Sequence, residues 1–370
     1  MNATTTRPRL VPVGNNPTKI WGMTNAERLR RIARAQKLDG AGEDGPVLLA
    51  NLAYAFDPNW TAHLARLPDT VVTREGVPVL AHVTDAASRA AVERAMLDGA
   101  PAAGLHAIAA EDEAGILNEA LRKRERPFAE RLVPANVRMI ERASYDGAYK
   151  GVTDLLTKYL WPGWAFALTR LAARIGVSPN GVTALGTLGC VAATAAFWYG
   201  WFWTGLVVGL AFMVLDTVDG KLARCTITSS AIGNIWDHGI DLVHPPFWWW
   251  AWGVGCASYG RPLDDGTFWI VMATMIVGYV AQRVVEGAFM RLYGMHIHVW
   301  ERFDSRFRLV TARRNPNMVI LFASLLIGRP DWGIIAVAGW TVISLIVHAV
   351  RLAQALAMRA RGGAIASWLA

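Results

Sequence analysis

The sequence predicts an α-helical polytopic membrane protein with about six transmembrane helices, preceded by a small α/β cytoplasmic domain. The 370 residues are 53% hydrophobic and include 17 tryptophans, a composition too apolar for an ordinary soluble domain. Apolar runs long enough to cross a bilayer occur only after about residue 155. Earlier residues alternate short strand-like and helical patterns, which favours a small α/β unit.

The front of the chain divides into a flexible tail at residues 1–20 and the α/β domain at residues 21–140. The tail is polar and lacks the apolar core of a signal peptide, so we expect the domain to remain in the cytoplasm. Thr24 and Glu27 form a capping-box pattern that begins a helix ending near Gly40. A loop is predicted at 41–46, strands at 47–52, 70–73 and 78–83, and helices at 59–67, 85–97 and 111–124.

The back of the chain begins at residues 145–177, whose pattern predicts amphipathic helices at the membrane surface, interrupted near Pro162. A six-helix membrane domain is predicted at residues 178–356 and a C-terminal tail at 357–370. The six apolar segments are 181–200, 202–223, 235–257, 267–289, 315–329 and 332–352.

The net charge is +8, and its arginines are unevenly placed among the predicted connections. The outer connections hold only Arg261 and Arg329. The inner connections and the tail hold Arg291, Arg302, Arg306, Arg308, Arg313, Arg314, Arg359 and Arg361. This asymmetry is typical of cytoplasmic flanks and predicts a protein of a bacterial-type cytoplasmic membrane with both termini inside. The sequence shows no aromatic-and-basic pattern of a nucleic-acid-binding module, so no nucleic acid partner is expected.

Several conspicuous residues have ordinary structural interpretations. The three cysteines are too few and too widely spaced to predict a disulfide framework or a zinc site. Trp248–Trp250 is typical of an aromatic belt at a membrane interface. His238 and His244 are expected to make local hydrogen bonds rather than to bind a ligand.

Four aspartates lie where the second apolar segment ends and the third begins. Asp216 and Asp219 are three residues apart, and Asp237 and Asp241 are four apart, so each pair shares one face of a helix. The short polar link CTITSS between them permits a hairpin that brings all four carboxylates together. Ionisable groups at membrane depth are costly and normally functional, so this cluster is the predicted active site.

Clustered carboxylates require counter-cations, and hard oxygen ligands select Mg²⁺ or Mn²⁺. Two such ions suit a diphosphate, because they neutralise its charge. Gly220, Ala223 and Gly233 leave the helix faces bare beside the acids, so that a bulky ligand lies against the backbone. Lys221 and Arg224 add positive charge near the expected phosphates.

The spacing Asp216-x-x-Asp219-Gly220-x-x-Ala223-Arg224, eight residues, Gly233-x-x-x-Asp237-x-x-x-Asp241 resembles the signature of the CDP-alcohol phosphotransferase family at all eight positions. The resemblance extends more loosely over residues 145–355, where Ser178–Thr183 (SPNGVT) is similar to the segment that opens the first membrane helix of the family. The resemblance implies six membrane helices and a homodimer.

The resemblance also implies the role of each residue. Asp216, Asp219, Asp237 and Asp241 would hold two divalent metal ions, Mg²⁺ or Mn²⁺. Asp241 would in addition be the general base that takes the proton from the acceptor hydroxyl, although spacing alone does not say which carboxylate does so. The CDP-alcohol site would be lined by Gly220, Ala223, Arg224 and Gly233.

The implied activity is transfer of a phospho-alcohol group from a CDP-alcohol to a second alcohol, with release of CMP, in phospholipid biosynthesis. CDP-diacylglycerol is the expected donor and a polyol or inositol phosphate the expected acceptor, with membrane lipids as neighbours. An alternative within the class is a CDP-linked headgroup donor with a lipid alcohol acceptor. An alternative of another class is a divalent metal transporter, for which four aspartates would also be suited.

Arginines near the fifth segment have two interpretations, the positive-inside bias and an anionic acceptor site. Arg291, Arg313 and Arg314 are the candidates for binding the acceptor.

In the front domain, the order of helix and strands weakly resembles part of a nucleotidyltransferase core. The Gly-rich nucleotide loop is missing before its first helix, so we expect that any cytidylyl transfer has been lost.

Overall fold

The computed structural model describes residues 7–40, 45–112, 115–118 and 121–369. Parts of the predicted tail (1–6) and loop (41–44), and the last residue of the predicted C-terminal tail, lie outside this range. The chain forms two compact units. The first comprises Met1–Tyr149, Thr169–Val177 and Lys221–Ser229, and the second comprises Lys150–Leu168, Ser178–Gly220 and Ser230–Ala370.

The first unit is an α/β unit, as the sequence predicts. Its helices are α1 (Asn25–Gln36), α2 (Asn59–Leu64), α3 (Ala86–Asp98) and α4 (Val137–Gly147). Its strands are β1 (Arg9–Val13), β2 (Lys19–Ile20), β3 (Met23–Thr24), β4 (Val47–Asn51), β5 (Tyr54–Phe56), β6 (Thr70–Arg74), β7 (Val77–Val83), β8 (His106–Ala109), β9 (Ile116–Asn118), β10 (Lys123–Glu125) and β11 (Ala129–Arg131).

A five-stranded sheet in the order β1-β4-β7-β6-β8 is the centre of the first unit. Strand β4 is buried along its whole length, which explains its continuous apolar run. Leu48 and Ala50 belong to the core with α1 and α2. Val47 and Leu49 belong to the core with α3. Successive residues therefore serve opposite faces, as strand geometry requires.

Two predictions about the first unit are wrong. Part of the predicted flexible tail is β1, which pairs in parallel with β4. Strand β1 contains Pro12, and it is an edge strand, where a residue without an N–H is tolerated. The predicted helix at 111–124 is instead the antiparallel pair β9 and β10. Gly115 and Arg122 have φ of 123° and 54°, which a right-handed helix does not permit.

The second unit is helical, and each predicted apolar segment coincides with a helix. An amphipathic α5 (Trp161–Ile175) follows a π-helical turn at Leu156–Leu160, close to the predicted interruption at Pro162. The six following long helices and one short helix are α6 (Pro179–Trp198), α7 (Phe202–Cys225), α8 (Ala231–Ser258), α9 (Asp265–Tyr293), α10 (Arg302–Phe307), α11 (Arg314–Leu326) and α12 (Pro330–Ala360).

Three helices within the described residues are long and apolar enough to cross a membrane. They are α6, α9 and α12, with mean hydropathy of 1.5, 1.6 and 2.1. The chain is thus compatible with an integral membrane protein. Helix α11 has 13 residues and spans only about 20 Å, less than the hydrocarbon core of a bilayer.

The core of the second unit contains two of the tryptophans predicted to form an interface belt. Trp248 and Trp249 are 4% and 5% exposed and pack in the main apolar cluster, so the belt prediction is wrong for both. Trp248 donates its Nε1–H to the carbonyl of Cys190 at 3.2 Å, which satisfies its polar group in the core. The predicted C-terminal tail also departs from expectation: its first residues continue α12, and Trp368 donates to Ser305 Oγ at 2.9 Å.

The close approach of α6 and α8 generates a stability prediction. A Cβ at Gly255 would lie 1.8 Å from the carbonyl oxygen of Phe197. Gly255→Ala should therefore destabilise the second unit by at least about 1–3 kcal/mol through overpacking. Gly239→Ala is the matched control on the same helix, because a Cβ there meets no atom within 4 Å. Thermal unfolding in detergent measures both, and an equal Tm for the two variants contradicts the prediction.

Candidate active site

The four aspartates lie on two consecutive helices of the second unit. Asp216 and Asp219 are on α7, and Asp237 and Asp241 are on α8. Ser230 begins α8 as its N-cap, and its Oγ accepts a hydrogen bond from the Gly233 N–H at 3.0 Å. This cap explains why α8 begins directly after the polar link.

Three of the four carboxylates converge. Oxygen atoms of Asp216, Asp237 and Asp241 all lie within 4.8 Å of one another. Asp219 is 4% exposed, and its Oδ2 accepts a hydrogen bond of 2.6 Å from the Thr183 hydroxyl. A cavity of about 10 Å³ lies among Asp216, Asp219 and Asp237, so all four acids belong to one region.

Arg314, the first residue of α11, contacts two of these carboxylates. Its Nη2 lies 2.5 Å from Asp216 Oδ2 and 3.2 Å from Asp241 Oδ2. Its Nη1 lies 3.3 Å from Asp216 Oδ1 and also donates to Asp241 Oδ1. The sequence predicted Arg314 as an acceptor-binding residue, whereas the structure places it on the aspartates. Arg314 is 98 residues from Asp216 and 73 from Asp241 in the sequence, so no local sequence pattern predicts this contact.

The start of α6 supports the aspartates in two ways that sequence reasoning missed. Besides the Thr183 hydrogen bond to Asp219, Asn180 lies beside Gly233. A Cβ at Gly233 would come within 2.6 Å of Asn180 Oδ1. Thr183 and Asn180 both belong to the SPNGVT segment, so this segment was the sequence pattern from which their role could have been predicted. Gly233 thus permits close packing of α6 against α8.

Two signature residues, Ala223 and Arg224, lie in the last turn of α7, in the part of this helix that belongs to the first unit. Arg224 Nε donates to the carbonyl of Ala148 at 3.1 Å. Lys221, expected to lie near phosphates, is 3% exposed, with its Nζ 2.9 Å from the ring centre of Tyr149. This is a cation–π contact, which satisfies the charge within the first unit.

The other two predicted acceptor residues, Arg313 and Arg291, form no ion pair with the four aspartates among the described residues. Arg313 Nη2 donates to both carboxylate oxygens of Glu286 at 2.6 Å. Arg283 Nη2 donates to the same carboxylate at 2.9 Å. Arg291 is exposed in the last turn of α9. Glu286 was missed, although a lone acid within an apolar segment is itself a signal of function.

Glu286 belongs to a second polar cluster with His298 and His348, whose ligand atoms lie within 4.8 Å of one another. His298 is 3% exposed and His348 is 2% exposed. His238 and His244, the two histidines beside the signature, make local contacts as predicted. His238 Nδ1 lies 2.8 Å from the carbonyl of Asn234, and His244 Nδ1 lies 2.7 Å from that of Ile240.

An apolar groove runs along α6 and α8 next to the aspartates. Its volume is about 840 Å³. Among its lining residues, Trp236, Gly239 and Ile240 alternate with Asp237 and Asp241 along α8. Ile240 also lines the small cavity among Asp216, Asp219 and Asp237, so the groove adjoins the carboxylate site.

The long apolar helices and the converging carboxylates define the class of protein. It is a helical protein that is compatible with a membrane and has a polar site like that of an enzyme. The family model described as CDP-alcohol phosphatidyltransferase matches residues 176–305, which contain the whole signature. This part of the chain is therefore similar to the CDP-alcohol phosphatidyltransferase family.

Relatives of the chain have names from two branches of lipid synthesis. Cholinephosphotransferase 1 of Gallus gallus is 32% identical over 129 residues, covering 31% of this chain and 36% of the relative. The Homo sapiens protein of the same name is 31% identical over 175 residues, covering 44% and 41%. A phosphatidylinositol phosphate synthase of Streptomyces avermitilis is 39% identical over 93 residues, covering 24% and 38%.

The chain thus spans 36% to 41% of the lengths of these three relatives. Among solved structures, the Mycobacterium tuberculosis phosphatidylinositol phosphate synthase with CDP-DAG bound aligns over 51% of this chain and 92% of that protein. The TM-score is 0.38 and the identity is 19%.

The converging residues fit a divalent metal, on which this family generally depends. Their donors are carboxylate oxygens, the ligands that hard divalent cations prefer. Their spacing within 4.8 Å allows several of them to share one ion. Arg314 contributes the positive charge that the same carboxylates contact in this structure.

The Thr183 hydrogen bond generates a prediction about metal affinity. Thr183→Val removes the donor to Asp219, so the carboxylate loses its orientation, and the Kd for Mn²⁺ should rise by about 10–100-fold. Electron paramagnetic resonance of free Mn²⁺ measures it. Thr194→Val is the control, because that hydroxyl donates to the carbonyl of Cys190 on its own helix, at 2.8 Å. Equal affinities in both variants would count against a supporting role for Thr183.

Proposed function

We propose that the chain transfers a phospho-alcohol group from a CDP-alcohol to the hydroxyl of a second alcohol, with release of CMP, in phospholipid biosynthesis. The observation that carries this proposal is the convergence of Asp216, Asp237 and Asp241 within a complete family signature. The same spacing of small and basic residues has no purpose in a simple solvated hairpin. Because the relatives are matched over less than half of their length, their activities support the proposal only by family.

The proposed cofactors are two divalent ions, Mg²⁺ or Mn²⁺, held by Asp216, Asp219, Asp237 and Asp241. When bound, these ions neutralise the diphosphate of the donor and stabilise the leaving CMP. Hydrogen bonding from Thr183 orients Asp219 toward this task. The burial of Asp219 at 4% exposure keeps water from competing for its oxygen atoms.

The donor site is proposed to include Gly220, Ala223, Arg224 and Gly233. CDP-diacylglycerol is the proposed donor, because the groove of about 840 Å³ beside Asp237 and Asp241 suits acyl chains. Its lining is largely aliphatic and aromatic, which favours a lipid over a small polar headgroup. The relative from Streptomyces avermitilis, a phosphatidylinositol phosphate synthase by name, is consistent with a lipid nucleotide donor.

Asp241 is the proposed general base. Its carboxylate would accept the proton of the acceptor hydroxyl as that oxygen attacks the β-phosphorus of the donor and the bond to the CMP oxygen breaks. Its position one helical turn after Asp237 leaves it beside the groove and the other acids. A base must lie within hydrogen-bond reach of the hydroxyl, and Asp241 is 41% exposed at its side chain, which permits that approach.

The proposed acceptor is a polyol or inositol phosphate, with Arg291, Arg313 and Arg314 as the candidate contacts. Arginine binds phosphate in a bidentate manner. Arg313 and Arg283 converge on Glu286 in the second unit, so a buried basic region already exists there. The acidic Glu286 holds these guanidinium groups in place.

A second candidate uses a CDP-linked headgroup as donor and a lipid alcohol as acceptor. The observation in its favour is the similarity to the cholinephosphotransferases of Gallus gallus and Homo sapiens. The same groove would then hold the acceptor lipid. A divalent metal transporter is the candidate of another class, and it differs in releasing no CMP.

The arrangement in the membrane is also a proposal. Six spans, with the N-terminal α/β unit and the active site on the cytoplasmic side, follow from the arginine distribution. We propose a homodimer, as the family resemblance implies. The nucleotidyltransferase-like origin of the first unit, without cytidylyl transfer, remains a hypothesis of the same kind.

Asp241→Asn tests the reaction. Offered CDP-diacylglycerol with inositol phosphate, and CDP-choline with diacylglycerol, the purified chain should release CMP only with Mg²⁺ or Mn²⁺ present. Asp241→Asn should reduce the rate by roughly 10²–10⁴-fold with the productive pair. Mass spectrometry identifies the product.

The matched control is Asp264→Asn, because Asp264 caps α9 by accepting from the Thr267 N–H at 3.0 Å, and Asn caps a helix equally well. Full turnover by Asp241→Asn would exclude it as the base. Absence of CMP with every pair, together with cation passage across liposomes, would replace the enzyme proposal with the transporter.

The donor groove is tested by filling it. Ala195→Trp places a large ring where Ala195 lines the groove, and it should raise the KM for CDP-diacylglycerol by roughly tenfold, the equivalent of about two buried methylenes. Ala192→Trp is the control, since Ala192 is exposed on the same helix and does not line the groove. A KM increase for the lipid alcohol acceptor, with CDP-choline as donor, would instead assign the groove to the second candidate.

A further inference from the structure

Arg314 contacts the same atoms that a divalent ion would take. Its two terminal nitrogens together reach both carboxylate oxygens of Asp216 and both of Asp241. One guanidinium thus donates four hydrogen bonds, and each oxygen of the two carboxylates accepts one of them. Such bidentate contacts are among the strongest ion pairs in proteins.

The position of Arg314 is reinforced from its other sides. Its guanidinium carbon lies 5.6 Å from the ring centre of Phe212 on α7, and its side chain is 16% exposed. The following residue, Asn315, donates to Asp154 Oδ1 at 2.8 Å, which anchors the first turn of α11. The contact with Phe212 and the anchored start of α11 therefore hold the guanidinium against the aspartates.

Its neighbour Arg313 has a different partner. Arg313 donates to Glu286, and no ion pair joins it to the four aspartates in the part of the chain that the structure describes. The two consecutive arginines thus form ion pairs with different acidic groups. This division provides an internal comparison, because the two side chains carry the same charge one residue apart.

We infer that Arg314 is an internal counter-cation that competes with the divalent metal for Asp216 and Asp241, and that metal binding releases its guanidinium for a phosphate oxygen of a substrate. Two positive groups on one pair of carboxylates repel each other strongly where water is scarce. Arg314 therefore stabilises the metal-free site and weakens metal binding. This inference rests on the metal site of the proposed function.

The competition predicts an unusual direction of effect. Arg314→Gln should tighten Mn²⁺ binding by at least about tenfold, although it removes a residue of the site, because the metal no longer displaces a cation. Arg314→Lys should have an intermediate effect, since an ammonium group does not hold both carboxylates in a bidentate manner. Free Mn²⁺ is measured by electron paramagnetic resonance.

Arg313→Gln is the matched control. It removes an equal charge whose partner is Glu286, so the Mn²⁺ Kd should change by less than about threefold. An unchanged or higher Kd in a folded Arg314→Gln or Arg314→Lys variant overturns the inference. A wild-type protein that binds no Mn²⁺ overturns the proposed metal site itself, and the two failures are thereby distinguished.

A measurement on the unmodified sequence covers the case in which both Arg314 variants fail to fold. Phenylglyoxal modifies free guanidinium groups, and peptide mass spectrometry reports each arginine separately. Saturating Mn²⁺ should raise the modification rate of Arg314 several-fold and leave that of Arg313 unchanged. Equal or slower modification of Arg314 with Mn²⁺ overturns the inference.

Discussion

Carboxylates that converge in an apolar helical unit must have positive charge among them, and this constraint governs the second unit of the protein. Oxygen atoms of Asp216, Asp237 and Asp241 lie within 4.8 Å of one another, at a distance where like charges repel unless a cation neutralises them. Helix α8, which carries two of them, packs closely on α6 where Gly233 lies beside Asn180. A fold that tolerates this cluster must provide counter-charge.

Arg314 provides that counter-charge from a helix far away in sequence. Its contacts with Asp216 and Asp241 connect the start of α11 to the hairpin of α7 and α8. Arg313 instead joins Glu286, and so the α9 to α11 side has its own buried ion pair. Arg314 and Arg313 therefore belong to two separate charged clusters of the second unit.

The family assignment and the geometry support different levels of conclusion. The match over residues 176–305 shows that this part of the chain is similar to the CDP-alcohol phosphatidyltransferase family. The groove along α6 and α8 explains how a lipid substrate would reach polar residues without leaving an apolar environment. The relatives have two different names, cholinephosphotransferase and phosphatidylinositol phosphate synthase, so the similarity by itself does not select between the two proposed substrate pairs.

The sequence by itself determined the α/β front, the helical back and the four aspartates, because these depend on short-range spacing and on apolar periodicity. Strand β4 and the helix boundaries around Asp216 and Asp241 follow from such local patterns. The sequence did not determine that β1 joins the sheet, because the pairing of an edge strand depends on distant β4. Likewise, only the tertiary structure decided that Trp248 is buried and that Arg314 meets the aspartates. The physical reason is the same in each case: burial and ion pairing are set by residues that approach only when the chain is folded.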